Sequence, residues 1–186
     1  MDTAKDLTKD FDNTYLFTDE GEMLQTFLDL IDDADIISGW NSEGYDIPYT
    51  VNRITRVLSK DDNRKWCLFG QLPKKRTFER FGSESVTFDL VGRVHLDYMQ
   101  LYRKYTYEER HSYTLDAIGE HELDERKVAY EGTLDQLYNQ DFEKFIDYNR
   151  QDTALLNKLD KKLRFIDLSN ICLLNPSDAA DEEDNI

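Results

Sequence analysis

Cysteine, histidine, proline and glycine are all scarce, at two, three, three and eight of 186 residues. Cys67 and Cys172 stand far apart, and neither belongs to a pair at metal-ligand spacing. They read as reduced thiols of a cytosol-like compartment, although spacing leaves a single bridge between them open. His95, His111 and His121 show no metal spacing either, which removes zinc chemistry of the usual kind. The few glycines form no phosphate-binding loop and no Gly-x-Ser-x-Gly elbow. No apolar run approaches the roughly 20 residues that cross a membrane. The opening "MDTAKDLTKDFDN" lacks the charged-then-apolar pattern of a secretion signal.

Positive charge is also short. With 39 acidic against 23 basic residues, the net charge of −16 repels phosphate. A nucleic acid would have to be held by a local basic patch, by bound cations or by another part of a larger protein. The hydrophobic share of 39%, with 12% aromatics, nevertheless predicts a folded chain of one domain with a real core.

Tyr15–Phe17 predicts a short strand. Thr18 then caps a helix carrying Met23, Leu24, Phe27, Leu28 and Ile31 at helical spacing. "DIISGW" reads as a short buried strand, and a second helix with Pro48 in its first turn runs to about Leu58. Alternating residues on either side of "FGSES" predict a hairpin turning at Gly82. Its first arm holds Lys74, Lys75, Arg76 and Arg80, the densest basic cluster of the chain. "GRVHLDYMQLYRKY" reads as strand then helix. "SYTLDAIGEHEL" predicts a short helix capped by Ser112 or Thr114, followed by a loop at Gly119. A long final helix aligns Phe145, Tyr148, Asn149, Asp152, Leu156, Leu159, Leu163 and Ile166 on one face. The acidic stretch that follows reads as a disordered tail or linker.

Two aspartates raise the question of chemistry. Asp46 sits in "GWNSEGYDIPY", where strand gives way to helix. It reads either as a helix cap or as a metal ligand. Asp152 falls within an apolar helix stripe, with Tyr148 one turn earlier. A lone carboxylate there needs a partner, either a base such as Arg150 or a metal. Carboxylates without His or Cys ligands suit the hard cations Mg²⁺ or Mn²⁺, and two such ions support phosphodiester hydrolysis.

Asn41-x-x-x-Tyr45-Asp46 and Tyr148-x-x-x-Asp152 resemble the second and third exonuclease motifs of family B DNA polymerases. Together with "LDYMQLYRKY" and "SYTLDAIGEHEL", their order and separation are similar to the 3′→5′ proofreading domain of a phage-type member. The resemblance covers residues 15–170, leaving 1–14 as an extension and 171–186 as the acidic tail. It implies an α/β, RNase H-like (DnaQ-like) fold, with a mixed sheet flanked by helices and an inserted β-hairpin. It further implies that Asp46 and Asp152 ligate a two-metal Mg²⁺ or Mn²⁺ site and that Tyr148 orients the attacking water or the phosphate. Asn41 and Tyr45 would hold the substrate strand, while Lys74, Lys75, Arg76 and Arg80 would contact the DNA backbone. A charge-protected edge hairpin is the competing reading of that basic cluster.

The family's first motif, Asp-x-Glu on an opening strand, has no counterpart ahead of Asn41. Glu20-Gly21-Glu22 reads instead as first-turn acids of a helix. The expectation is therefore a fold incomplete at its N-terminus, with weak metal binding and little nuclease turnover in the isolated chain. Its partners would be the single-stranded 3′ end of primer DNA and the remaining polymerase domains or a complementing chain, in the host cytoplasm. Self-association through an exposed sheet edge is also expected, and a membrane is not. The alternative is a non-catalytic nuclease-like module for protein interaction or single-strand binding.

Overall fold

The structure, a computed structural model, describes residues 8, 11, 13–80 and 82–174. Its first regular element among these is helix α1 (Glu20–Leu30). Asp19 caps it, accepting a hydrogen bond from the Glu22 amide at 2.8 Å. The cap thus lies one residue beyond the expected Thr18, because the Asp19 carboxylate serves the free first-turn amides and leaves Glu20 and Glu22 at the positive end of the helix. Residues 15–17 are not a strand; they pair with no neighbouring strand among the described residues.

Strand β1 (Ile36–Gly39) follows, then helix α2 (Asp46–Val57) and a 3₁₀ turn (Asp61–Trp66). The hairpin of β2 (Lys74–Arg80) and β3 (Ser83–Asp89) turns at Gly82, whose φ of 73° is one that side-chain-bearing residues avoid. Strand β4 (Val94–Asp97) then returns beside β1 in parallel, with Ile36 opposite Val94 and Gly39 opposite Asp97. Everything between β1 and β4 is therefore one crossover connection, as parallel pairing requires. Parallel and antiparallel pairing occur in two separate two-stranded sheets among the described residues, not in one mixed sheet.

Helix α3 (Tyr98–Tyr105) starts directly on β4, with Asp97 as its cap. Helix α4 (Leu115–Leu123) is capped by Thr114, one of the two expected residues. Gly119 lies inside α4 rather than in a loop after it. A Cβ there would stand 3.3 Å from Leu155 and 3.1 Å from the Glu125 carbonyl, so the glycine is used for close packing. The chain leaves α4 at Asp124, in the left-handed conformation. Helix α5 (Leu134–Gln140), not anticipated, begins with a Thr133–Gln136 capping box. Helix α6 (Phe142–Leu163) ends at left-handed Arg164, and α7 (Phe165–Leu174) turns back. The single helix expected to run past Ile166 is thus two, and the break sends Phe165 into the core.

Residues 171–174 of the expected tail belong to α7. Residues from 175 onward, and most of the 1–14 extension, lie outside the described residues, as does the Cys172 side chain.

Two cores form. Leu28, Ile47, Val51, Ile54 and Trp66 gather α1, α2 and the 3₁₀ turn, while Tyr98, Tyr102, Ile118, Leu155 and Phe165 gather α3, α4, α6 and α7. Burying each such side chain stabilises the fold by about 1.5–3 kcal/mol before entropy is counted. Arg93 ties the first core to β4. It is 6% exposed and donates to the Ala34 and Asp32 carbonyls at 2.8 and 2.7 Å, and also to Ile31, so it satisfies the open end of α1. No described helix is long and apolar enough to cross a membrane.

Candidate functional site

The two parallel strands end together at Gly39 and Asp97, the end of an open α/β sheet where ligands bind. Here the chain must turn from β1 into α2. Gly39 permits the fold-back, since a Cβ on it would meet the Ser42 Cβ at 2.8 Å. Asn41 takes the left-handed conformation, φ 58°, which asparagine adopts more readily than most residues.

Asp97 fixes this turn. It is 7% exposed; its Oδ1 accepts from the amides of Asn41 at 3.1 Å and Met99 at 3.0 Å, and its Oδ2 from Glu43 at 3.1 Å. One carboxylate thus caps α3 and clamps the loop that leads to Asp46. His95 adds a hydrogen-bonding contact with the Ser42 hydroxyl at 2.9 Å, and burial keeps its ring less basic than usual. Sequence reasoning missed Asp97. The signal was available: an acid ending a buried strand immediately before a helix.

A cavity of about 950 Å³ opens at this end of the sheet, lined from the first core by Ile37, Ile47 and Trp66 and from the second by Leu115 and Leu156. Asn41, Asp46 and Asp152 all line it, so residues from opposite halves of the chain converge. Asp46 is in the first turn of α2 with its carboxylate open to solvent on one side. Enclosure by the cavity wall and the negative charge of Asp97 nonetheless raise its pKa above the ordinary carboxylate value.

Asp152 is partly buried on α6, on the same side of the helix as the buried Leu155 and Leu159. Its Oδ2 accepts from Lys127 Nζ at 2.7 Å, and Arg150 is occupied elsewhere, by Asn13 and Thr14. The base-pairing reading of Asp152 therefore holds, with Lys127 as the base. Oδ1 is buried and has no hydrogen-bond partner among the described residues. Lys127 also lies 3.3 Å from the Tyr148 hydroxyl and lines the same cavity. Burial alone would make its ammonium less basic; the hydrogen bond to Asp152 and that carboxylate's charge outweigh burial and raise its pKa. Tyr148 is raised as well, chiefly by burial. Its ring faces a smaller cavity on the Lys127 side.

The donors available are hard oxygens, one orphaned in a cavity wall and one held above its ordinary pKa. That set fits a divalent cation preferring oxygen. Among the described residues no group of three or more His, Cys, Asp or Glu side chains is arranged to hold a metal.

The remaining predicted residues lie outside this cavity. Tyr45 and Tyr49 are exposed on α2 and stack on each other, with ring centroids 5.6 Å apart. Lys74 and Lys75 make no ion pair among the described residues. Arg76 is engaged by Asp89 at 2.8 Å and by Glu43. Arg80 closes β2, and its side chain lies outside the described residues.

Residues 2–118 match the model of the exonuclease domain of DNA polymerase family B. The DNA-directed DNA polymerase of Enterobacteria phage T4 is 30% identical over 154 residues, covering 82% of this chain. That of Escherichia phage RB69 is 32% identical over 155 residues, again 82% of the chain. The DNA polymerase delta catalytic subunit of Bos taurus is 32% identical over 123 residues, covering 58% of this chain and 10% of its own. The chain spans 17% of the length of each phage polymerase. Tyr148 and Asp152 lie beyond the span of the family match.

Proposed function

Since this chain belongs to the exonuclease-domain family of the family B DNA polymerases, we propose that it carries the 3′→5′ proofreading site of such an enzyme. The single observation that supports this most is the convergence of Asn41, Asp46 and Asp152 on one cavity at the carboxyl ends of a parallel strand pair. On this reading the β1–β4 pair is part of an RNase H-like sheet, and the enzyme works on DNA in the cytoplasm of the host cell.

Asp46 and Asp152 are the residues that hold Mg²⁺ or Mn²⁺. A cation bound there supplies water activation and charge neutralisation at the scissile phosphate. Lys127 orients the Asp152 carboxylate through their ion pair. Tyr148, one turn before Asp152 and within reach of the Lys127 ammonium, orients the water or the phosphate. Asn41 holds the terminal nucleotide, and the exposed faces of Tyr45 and Tyr49 take bases of the single strand by stacking. Lys74 and Lys75, on the basic arm of the hairpin, face the DNA backbone and give an acidic chain a local basic patch.

Two carboxylates hold a divalent cation weakly, so we assign the remaining ligands to a segment outside the described residues, elsewhere in the polymerase or on a complementing chain. The edge of β1 away from β4 is unpaired among the described residues and is the place for such a strand, or for a second copy. The test is shortening of a 5′-labelled single-stranded oligonucleotide with Mn²⁺, alone and with an added peptide bearing an Asp-x-Glu strand. Stepwise loss from the 3′ end is expected when the peptide is supplied, and is lost in Asp46→Ala and Asp152→Ala. Turnover that never appears, or that survives in both variants, overturns the reading.

A further inference from the structure

The loop 41–45 presents Asn41 and Asp46 to the cavity, and three side chains hold it from outside. Two come from β4: Asp97 through the Asn41 and Glu43 amides, and His95 through Ser42. The third comes from the hairpin. Arg76, on β2, donates through Nε to Asp89 at 2.8 Å and through Nη2 to Glu43. Glu43 is the more shielded of its two partners, with 24% of its side chain exposed against 53% for Asp89. One guanidinium fork thus joins both hairpin arms to the loop, over a cavity of about 360 Å³ lined by Glu43, Arg76, His95 and Asp97. A lysine could not make this connection, since a single ammonium cannot present two divergent donors in a fixed plane.

We propose that Arg76 is a positioning residue that latches the hairpin to the aspartate-bearing loop. Its guanidinium couples the lie of β2 and β3 to the conformation of residues 41–46. The consequence for chemistry rests on the nuclease reading above; the latch itself does not. A displacement of the hairpin that pulls Arg76 from Glu43 loosens the loop and shifts its anchoring onto Asp97 and His95. The basic cluster then divides. Lys74 and Lys75 are open to a phosphate backbone, and the Arg76 charge is spent within the molecule.

A phosphate contact and a latch differ in what Glu43 should do. If Arg76 chiefly contacts DNA, Glu43→Gln frees the guanidinium and strengthens DNA binding, with no effect on the free chain. If Arg76 is a latch, Glu43→Gln reproduces Arg76→Gln. Hydrogen exchange of the metal-free, DNA-free chain reads this directly at the Asn41 and Glu43 amides. Each single variant, and Arg76→Lys, should speed their exchange by up to roughly fivefold, the scale set by partly exposed ion pairs. The urea midpoint should stay unchanged, and the Arg76→Gln/Glu43→Gln double variant should be no faster than either single one. Exchange unchanged in either single variant overturns the latch. So do additive effects in the double variant, or faster exchange across the whole chain with a lowered midpoint. Titrating Mn²⁺ into the same samples separates the two claims. A wild type indifferent to Mn²⁺ counts against the nuclease reading and leaves the exchange result to decide the latch.

Discussion

Replacing Lys127 by methionine isolates the charge balance of the site. The side chains of Lys127 and Asp152 are 26% and 27% exposed, and their charged atoms are 2.7 Å apart. Fully exposed pairs contribute about 0–1 kcal/mol, whereas breaking a buried one costs about 3–5 kcal/mol. Three-quarters buried on both sides, this pair belongs between those limits. The loss should be about 1–3 kcal/mol, most of it the cost of leaving the Asp152 carboxylate against an apolar wall without a counter-charge. Methionine keeps the volume of the lysine stem, so the loss reports charge and not a void. Two further outcomes follow from the same cause. Lys127→Met/Asp152→Asn should be more stable than Lys127→Met alone, because no uncompensated charge remains. The Lys127→Met chain should also gain more stability from millimolar Mn²⁺ than the wild type does, since a bound cation takes over the role of the ammonium. Urea unfolding at pH 7, with and without Mn²⁺, measures all three. Wild-type stability in Lys127→Met, or a double variant no better than the single, would refute the reasoning.

Other perturbations test the frame around the site. Asp97→Ala removes an acceptor for three amides and should cost about 3 kcal/mol or more, with Asn41 and Glu43 exchange rising first. Arg93→Met leaves the carbonyls after α1 without their donor and should cost about 2–4 kcal/mol in urea unfolding while leaving Mn²⁺ affinity unchanged. The raised pKa of Asp46 means that the folded chain binds its proton more tightly than the unfolded chain. Stability should therefore fall as pH rises from the ordinary aspartate value through the raised one, and Asp46→Asn should flatten that slope. The raised pKa of Lys127 acts with the same sign, at higher pH. Its contribution is complete below the unfolded lysine value near 10.4 and is lost as pH climbs through the folded one, a loss that Lys127→Met abolishes.

The sequence made the motif-bearing elements legible because local rules govern them. Alternation on either side of Gly82 marks the hairpin, and the acid-Pro start marks α2. The strand-then-helix reading of "GRVHLDYMQLYRKY" survives as β4 and α3. What stayed hidden depends on contacts between distant residues. Lys127 sits in an irregular segment with no periodicity to place it, and only its tertiary contact with Asp152 gives it meaning. Gly119 looked like a loop residue because its close approach to Leu155 has no local signature. Arg76 was read with its basic neighbours; the carboxylate that engages it across the fold is on another element.

The most direct test of the central claim, that Asp46 and Asp152 share one cation site, is paramagnetic line broadening by Mn²⁺ in the wild type beside Asp46→Ala and Asp152→Ala. It detects weak binding and locates it. The account predicts that signals from Ser38, Asn41, Thr50 and Thr153, residues of the same cavity wall, broaden first in the wild type and stay sharp in either variant. Broadening confined to other acidic surfaces, or unchanged around the cavity in both variants, would contradict it.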